Sequence, residues 1–205
     1  MNFILFSSLS FIFFLCFSFS AHGEHVIGPK IGYVKWGTNS VNVAGSNIQF
    51  DDVSTSSLGV EYLFILNKRL HIGGEFIYED LEPTTGLQTA DDIPFFQTPR
   101  NDINVYRYTG VANYYFQTGD FFKPYIGLGL GSARMGIHAR NSATLKGYTY
   151  MYKLGFNTRF SRRIGLAVEY RNAYISMDDA YGNQMKSRNN EYFIGLNIYF
   201  GAVKK

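Results

Sequence analysis

Apolar and polar residues alternate along most of this chain with a period of two. The stretch Tyr148–Phe160, YTYMYKLGFNTRF, is the cleanest example. Tyr148, Tyr150, Tyr152, Leu154, Phe156 and Phe160 fall on one face, with Thr158 the single polar member. Thr149, Met151, Lys153, Gly155, Asn157 and Arg159 fall on the other. That period predicts a strand with two different environments on its two sides. Seven further segments repeat it: VIGPKIGYV, LGVEYLFIL, LHIGGEFIYE, VYRYTGVANYYF, KPYIGLGLG, IGLAVEYRNAY and EYFIGLNIYF. Eight strands of about 9–13 residues are therefore predicted, long enough for a tilted strand to cross a bilayer. No helical period interrupts them.

The connections sort by length. Residues 67–69, 117–122 and 161–163 form short turns. Residues 37–57, 81–102, 138–147 and 175–190 form longer loops rich in Ser, Asn, Thr, Gly and Asp. Short turns at one end and long loops at the other are expected of an outer-membrane barrel, with the short turns in the periplasm. The fold class this predicts is all-β, an eight-stranded antiparallel up-and-down transmembrane β-barrel.

Alternation alone does not say which face is inside. The more polar faces carry Lys30, Arg107, Lys153, Arg159 and Arg171 against Glu61, Glu75, Glu79, Glu169 and Glu191. Five against five is the balance a closed lumen requires, because an unpaired buried charge costs several kcal/mol. An eight-stranded interior is just wide enough to be filled by side chains. Gly59, Gly73, Gly127, Gly129, Gly165 and Gly195 share those faces and are expected to make room for the long Arg and Lys side chains. Turning the aromatic and aliphatic faces inward would overfill such a barrel. Lipid sets no such limit, and tyrosines near strand ends suit interfacial girdles.

Composition agrees. Aromatic residues make up 18% of the 205, with 16 Tyr and 19 Phe but one Trp. Mean hydropathy is −0.10, which an alternating barrel also gives. A formal charge of +3 is too small to argue for nucleic acid. Residues 1–23, MNFILFSSLSFIFFLCFSFSAHG, are uncharged and apolar and end in Ala21-His22-Gly23. They read as a cleaved secretory signal, with an uncleaved anchor as the alternative, leaving 24–205 as the barrel domain. Cys16, the single cysteine, lies in that signal, so no disulfide or Cys-based zinc site is expected after it.

Three stretches resemble the small outer-membrane β-barrel superfamily of Gram-negative bacteria, the opacity-type and OmpA/OmpX-like surface proteins. KPYIGLGLGSA (123–133) is similar to that family's K-P-Y-x-G-x-G-x-G strand, and RRIGLAVEYR (162–171) to the turn and strand before its last loop. FIGLNIYF (193–200) resembles its C-terminal assembly signal, here Gly195, Ile198 and Phe200. The polar position of that signal holds Phe193, and GAVKK follows the terminal Phe. The resemblance implies insertion by the barrel-assembly machinery and residence in the cell outer membrane among lipid and lipopolysaccharide.

Reactive chemistry is sparse. His22, His25, His71 and His138 do not fall at metal-ligand spacing; His71 is expected in the lumen. Asp51-Asp52, Asp91-Asp92 and Asp178-Asp179 read as solvated loop carboxylates rather than a cation site. His138 and Ser142 do not match the H-x-S motif of lipid-A deacylases that share this barrel. GLGLG lacks the strand-to-helix context of a phosphate loop. No cofactor, metal or catalytic residue is expected. The function this predicts is a non-enzymatic, monomeric barrel that displays four extracellular loops to an unidentified ligand, with Ile93, Phe95 and Phe96 as candidate contacts. A small pore, a periplasmic lipid-binding barrel and a lipid-A-modifying enzyme are the alternatives.

Overall fold

The computed structural model describes residues 23–37, 39–43, 46–50, 54–81, 102–116, 121–138, 143–179, 182 and 184–201. Residues 1–22 of the predicted signal 1–23 lie outside them, as do the loop residues Ile93, Phe95, Phe96 and Ser142 and the side chain of His138. The strands are β1 (Glu24–Trp36), β2 (Asn39–Val43), β3 (Ser46–Phe50), β4 (Ser54–Ile65) and β5 (Leu70–Leu81), followed by β6 (Asp102–Tyr115), β7 (Phe122–His138), β8 (Ala143–Arg159), β9 (Ile164–Asp178) and β10 (Gln184–Gly201). β1 and β4 to β10 pair with their neighbours in antiparallel order, and β10 pairs back onto β1. These eight form a closed barrel, so no sheet edge is left bare in the ring.

Most of the barrel strands outrun the predicted 9–13 residues, reaching 18 in β10. A strand near 15 residues, rising about 3.3 Å per residue and tilted about 45°, spans roughly 35 Å. That exceeds the apolar band of about 25 Å, so the strands project past it. The projecting ends are Ser-, Asn- and Thr-rich and read as loop because their outward face meets water while their buried inward face still carries polar residues such as Thr55, Ser57, Ser187 and Asn189. The hydrogen-bond ladder continues through them regardless. Loop 175–190 shrinks accordingly, since β9 runs to Asp178 and β10 starts at Gln184. The segment 37–57 is corrected further, because it contains the hairpin β2–β3. β2 pairs with the upper end of β10 through Gln184↔Asn42, Met185↔Val41 and Lys186↔Ser40.

The turns are built from local side-chain acceptors. Asn67 Oδ1 accepts from the amides of Arg69 (2.8 Å) and Leu70 (2.9 Å). Ser161 Oγ accepts from those of Arg163 (3.2 Å) and Ile164 (3.0 Å). Short polar side chains of this kind stand in for backbone acceptors and fix tight turns. The closing seam runs Ile27↔Ile198 and resumes at Lys30↔Gly195. It lapses at Pro29, whose ring nitrogen has no hydrogen to donate.

The two faces separate as the aromatic volume demanded. Leu128 and Leu130 on β7 point outward, 67% and 71% exposed, and Tyr148, Tyr150, Tyr152 and Leu154 on β8 are exposed beside them. Toward the loop end the outward rings are mostly tyrosines, such as Tyr150 against Tyr174 at 5.0 Å and Tyr78 against Tyr106 at 5.3 Å. Toward the turns they are mostly phenylalanines, such as Phe122 against Phe156 at 5.2 Å and Phe121 against Phe160 at 6.2 Å. Lys153, Asn157, Glu169 and Arg171 are buried on the other side.

Candidate functional site

The lumen is layered, and its centre is ionic. Glu61 of β4 lies directly opposite Glu75 of β5. Lys153 of β8 lies directly opposite Arg171 of β9. Like charges facing each other across a strand pair are unfavourable on their own. In the closed ring β4–β5 and β8–β9 are diametrically opposed walls, so an acidic wall faces a basic one. Lys153 Nζ reaches Glu61 Oε1 at 2.5 Å. Arg171 forks onto Glu75, Nη1 to Oε2 at 2.9 Å and Nη2 to Oε1 at 2.6 Å. Its Nε donates to Glu169 Oε2 at 2.8 Å. Lys30 of β1 sits between the walls and meets Glu61, Glu75 and Glu169 at 2.9, 3.0 and 3.0 Å. Its three donors thus have three carboxylate acceptors.

A second cluster lies on the loop side of the first. Arg107 of β6 donates through Nη1 to Glu191 Oε1 at 2.6 Å. Its Nη2 lies 2.5 Å from Glu79 Oε1 but off the hydrogen-bond line, so that contact is coulombic. Trp36 Nε1 donates to Glu79 Oε2 at 3.0 Å. Above this cluster the lumen turns apolar: Val34, Leu81, Val105, Met135, Leu145 and Met177 pack with Ile175 and Met185 into a cap. The sequence reading missed this cap. The signal was present, because Ile77, Val105, Met135 and Ile175 interrupt the nominally polar faces. On the turn side, Tyr125 donates to Glu169 Oε1 at 2.6 Å, and His71 lies 4.2 Å from the ring of Tyr115.

Of the ten predicted lumen charges the structure brings nine together. Arg159 is corrected: it lies at the turn end, partly exposed, paired with Glu24 at 2.6 Å and 4.0 Å over the ring of Tyr199. It sits one residue before the turn, where the lumen opens, and period-two counting does not register height. Glu24 was not among the predicted residues. The buried charges inside are therefore Lys30, Arg107, Lys153 and Arg171 against Glu61, Glu75, Glu79, Glu169 and Glu191, four against five. The surplus carboxylate belongs to the Arg107 cluster, where Glu191 Oε2 has no protein partner. Glu191→Gln lowers the surplus charge and leaves an amide oxygen to accept from Arg107, so it is expected to cost about 1 kcal/mol, the scale of one hydrogen bond. Glu61→Gln weakens both Lys30 and Lys153 and is expected to cost about 3–5 kcal/mol. Denaturant unfolding in lipid vesicles distinguishes the two.

The glycines divide. A Cβ at Gly127 would lie 2.7 Å from Lys153 Cγ, so that glycine does make room for a buried lysine. At Gly73 it would lie 1.8 Å from the backbone oxygen of Tyr62, and at Gly165 2.5 Å from that of Thr158. These two serve close strand approach rather than a long side chain. Among the described residues no group of three His, Cys, Asp or Glu is placed to hold a metal ion. The central charges engage one another, an arrangement suited to locking the barrel.

The sequence profile described as outer membrane protein beta-barrel domain matches residues 9–200. No curated protein matches. Among solved structures, Neisserial surface protein A (NspA) superposes with a TM-score of 0.65 at 15% identity, covering 86% of this chain and 97% of that one. The outer membrane protein OprG from Pseudomonas aeruginosa gives 0.56 at 17%, covering 89% and 98%. Ail, the attachment invasion locus protein of Yersinia pestis, gives 0.50 at 17%, covering 87% and 99%. At these identities the superpositions speak to the fold.

Proposed function

Starting from the outer membrane protein beta-barrel family, to which this chain belongs, we propose that it acts as a sealed, non-enzymatic display barrel in the outer membrane. One observation carries the reading. Nine charged side chains meet in the lumen, and none of them is more than 5% exposed. A lumen filled this way supports its walls and leaves little room for a water column. Function then falls to the loop end, where the upper end of β10 carries the β2–β3 hairpin past the barrel. The role goes with removal of residues 1–23, assembly through Gly195, Ile198 and Phe200, a monomeric state and contact with lipopolysaccharide. Extracellular ligands are taken by the loops, the segment holding Ile93, Phe95 and Phe96 among them.

The test joins cell fractionation to electrical recording. The protein is expected in the outer-membrane fraction, with a heat-modifiable gel shift and no discrete conductance steps in planar bilayers. Stable steps would overturn the display reading in favour of a pore.

A further inference from the structure

The outward face of the barrel is electrically lopsided at its loop end. Arg134 of β7 lies directly opposite Lys146 of β8. Both side chains are exposed, between the inward Ala133 and Met135 and beside the inward Leu145. Lys186 and Arg188 of β10 are exposed on the same outward face. Asp178, which faces Lys146 on β9, and Asp179 after it are the acids beside them among the described residues. The corresponding outward rows of β4, β5 and β6 carry Ser54, Ser56, Asp80 and Asn104 and, among the described residues, no cation. An Arg placed directly opposite a Lys is unfavourable unless an anion lies between them.

A second, independent feature occupies the same sector. Asn172 of β9 lies on the outward period yet is buried, in the band of exposed tyrosines. Its Oδ1 accepts from Arg188 Nε at 2.9 Å, and its Nδ2 donates to Asn190 Oδ1 at 2.9 Å. Tyr170 also donates to Asn190 Oδ1, at 2.9 Å, and Arg188 Nη2 reaches Tyr152 Oη at 3.4 Å. The guanidinium is thus held by its inner edge at the level of the tyrosine girdle. The residue as a whole is exposed. Held this way, an arginine is preorganised for bidentate contact with a phosphate.

We propose that the β7–β10 face binds the phosphates of a phosphorylated glycolipid of the outer leaflet. Arg134, Lys146 and Lys186 take the headgroup phosphates, and Arg188 anchors it at the acyl boundary. The tyrosine row of Tyr148, Tyr150 and Tyr152 lies beneath, against the acyl chains. Charge complementarity selects this occupant: the cations sit just above the exposed apolar band, the height of the headgroup layer. The inference deepens the outer-membrane reading and rests on it.

The test uses the refolded barrel in neutral detergent, with bisphosphorylated lipid A and its phosphate-free counterpart as probes. The bisphosphorylated form is expected to bind at least tenfold more tightly. Each cation near such a surface is worth about fivefold, so R134Q/K146Q is expected to weaken binding about 25-fold and R188Q about fivefold. Asp80→Asn, on the opposite sector, leaves it unchanged. Equal binding of both lipids overturns the proposal, as does wild-type affinity in R134Q/K146Q, or capture of a soluble acidic polysaccharide with no response to lipid A. The heat-modifiable shift is read on every variant, so a failure of the barrel itself is seen separately from a failure to bind.

Discussion

Replacing Arg171 with leucine is expected to lower the unfolding free energy of the barrel by about 3–5 kcal/mol. Arg171 makes two bonds to Glu75 and others to Glu169, and all three side chains are within 2% of complete burial. Without it, Glu75 and Glu169 keep Lys30 as their shared cation. Lys30 also pairs with Glu61, so three carboxylates then share that ammonium in a site closed to water, the situation that makes breaking a buried pair costly. The guanidinium also lies 4.2 Å over the Phe193 ring, a contact leucine does not replace electrostatically. Urea titration of barrels refolded into vesicles measures the loss. A midpoint equal to wild type would mean that the paired charges do not hold the lumen together.

The second large effect is expected on the other face. Leu128→Arg places a cation outward near the middle of β7, at a position 67% exposed between Gly127 and Gly129. Facing hydrocarbon near the midplane, an arginine costs about 2–4 kcal/mol, the penalty falling toward either interface. The same substitution on a water-facing strand would lie within about 0.5 kcal/mol of neutral. The two mutations probe opposite sides of one sheet. A cation is removed where it is needed and added where it is not tolerated.

The fold was largely readable from the chain because its information is local. Period two gave the eight barrel strands, and the sorting of 67–69, 117–122 and 161–163 against longer connections gave the topology. The strand ends were not readable. Beyond the lipid band, residues such as Ser54, Ser56, Asn189 and Asn190 keep their ladder bonds although they are polar on both faces, which removes the alternation that marks a strand. The hairpin of Asn39–Val43 and Ser46–Phe50 was hidden in the same way. At the site, face and sign were readable and height was not. Alternation put Arg159 and Arg171 on one side of the sheet, yet one sits at the open turn end and the other in the sealed centre. Pairing was also out of reach, because Lys30 and Glu169 are 139 residues apart and meet only when the ring closes. The opposition of the Glu61/Glu75 wall to the Lys153/Arg171 wall depends on strand order around the barrel, which no single strand carries. Arg188 and Asn172 were passed over since an outward polar pair looks like any solvated rim until its bonds are seen.

The central claim is that the charged face is inside and the apolar face meets lipid. Trp36, the single tryptophan, provides a direct reading, because it is 1% exposed in the lumen beside Glu79. Fluorescence is compared in vesicles of ordinary and acyl-brominated phospholipid, for the wild type and for Leu128→Trp made in a Trp36→Phe background. The account predicts that brominated chains leave Trp36 nearly unquenched and strongly quench the tryptophan at position 128. Quenching of Trp36 with no quenching at position 128 would contradict it.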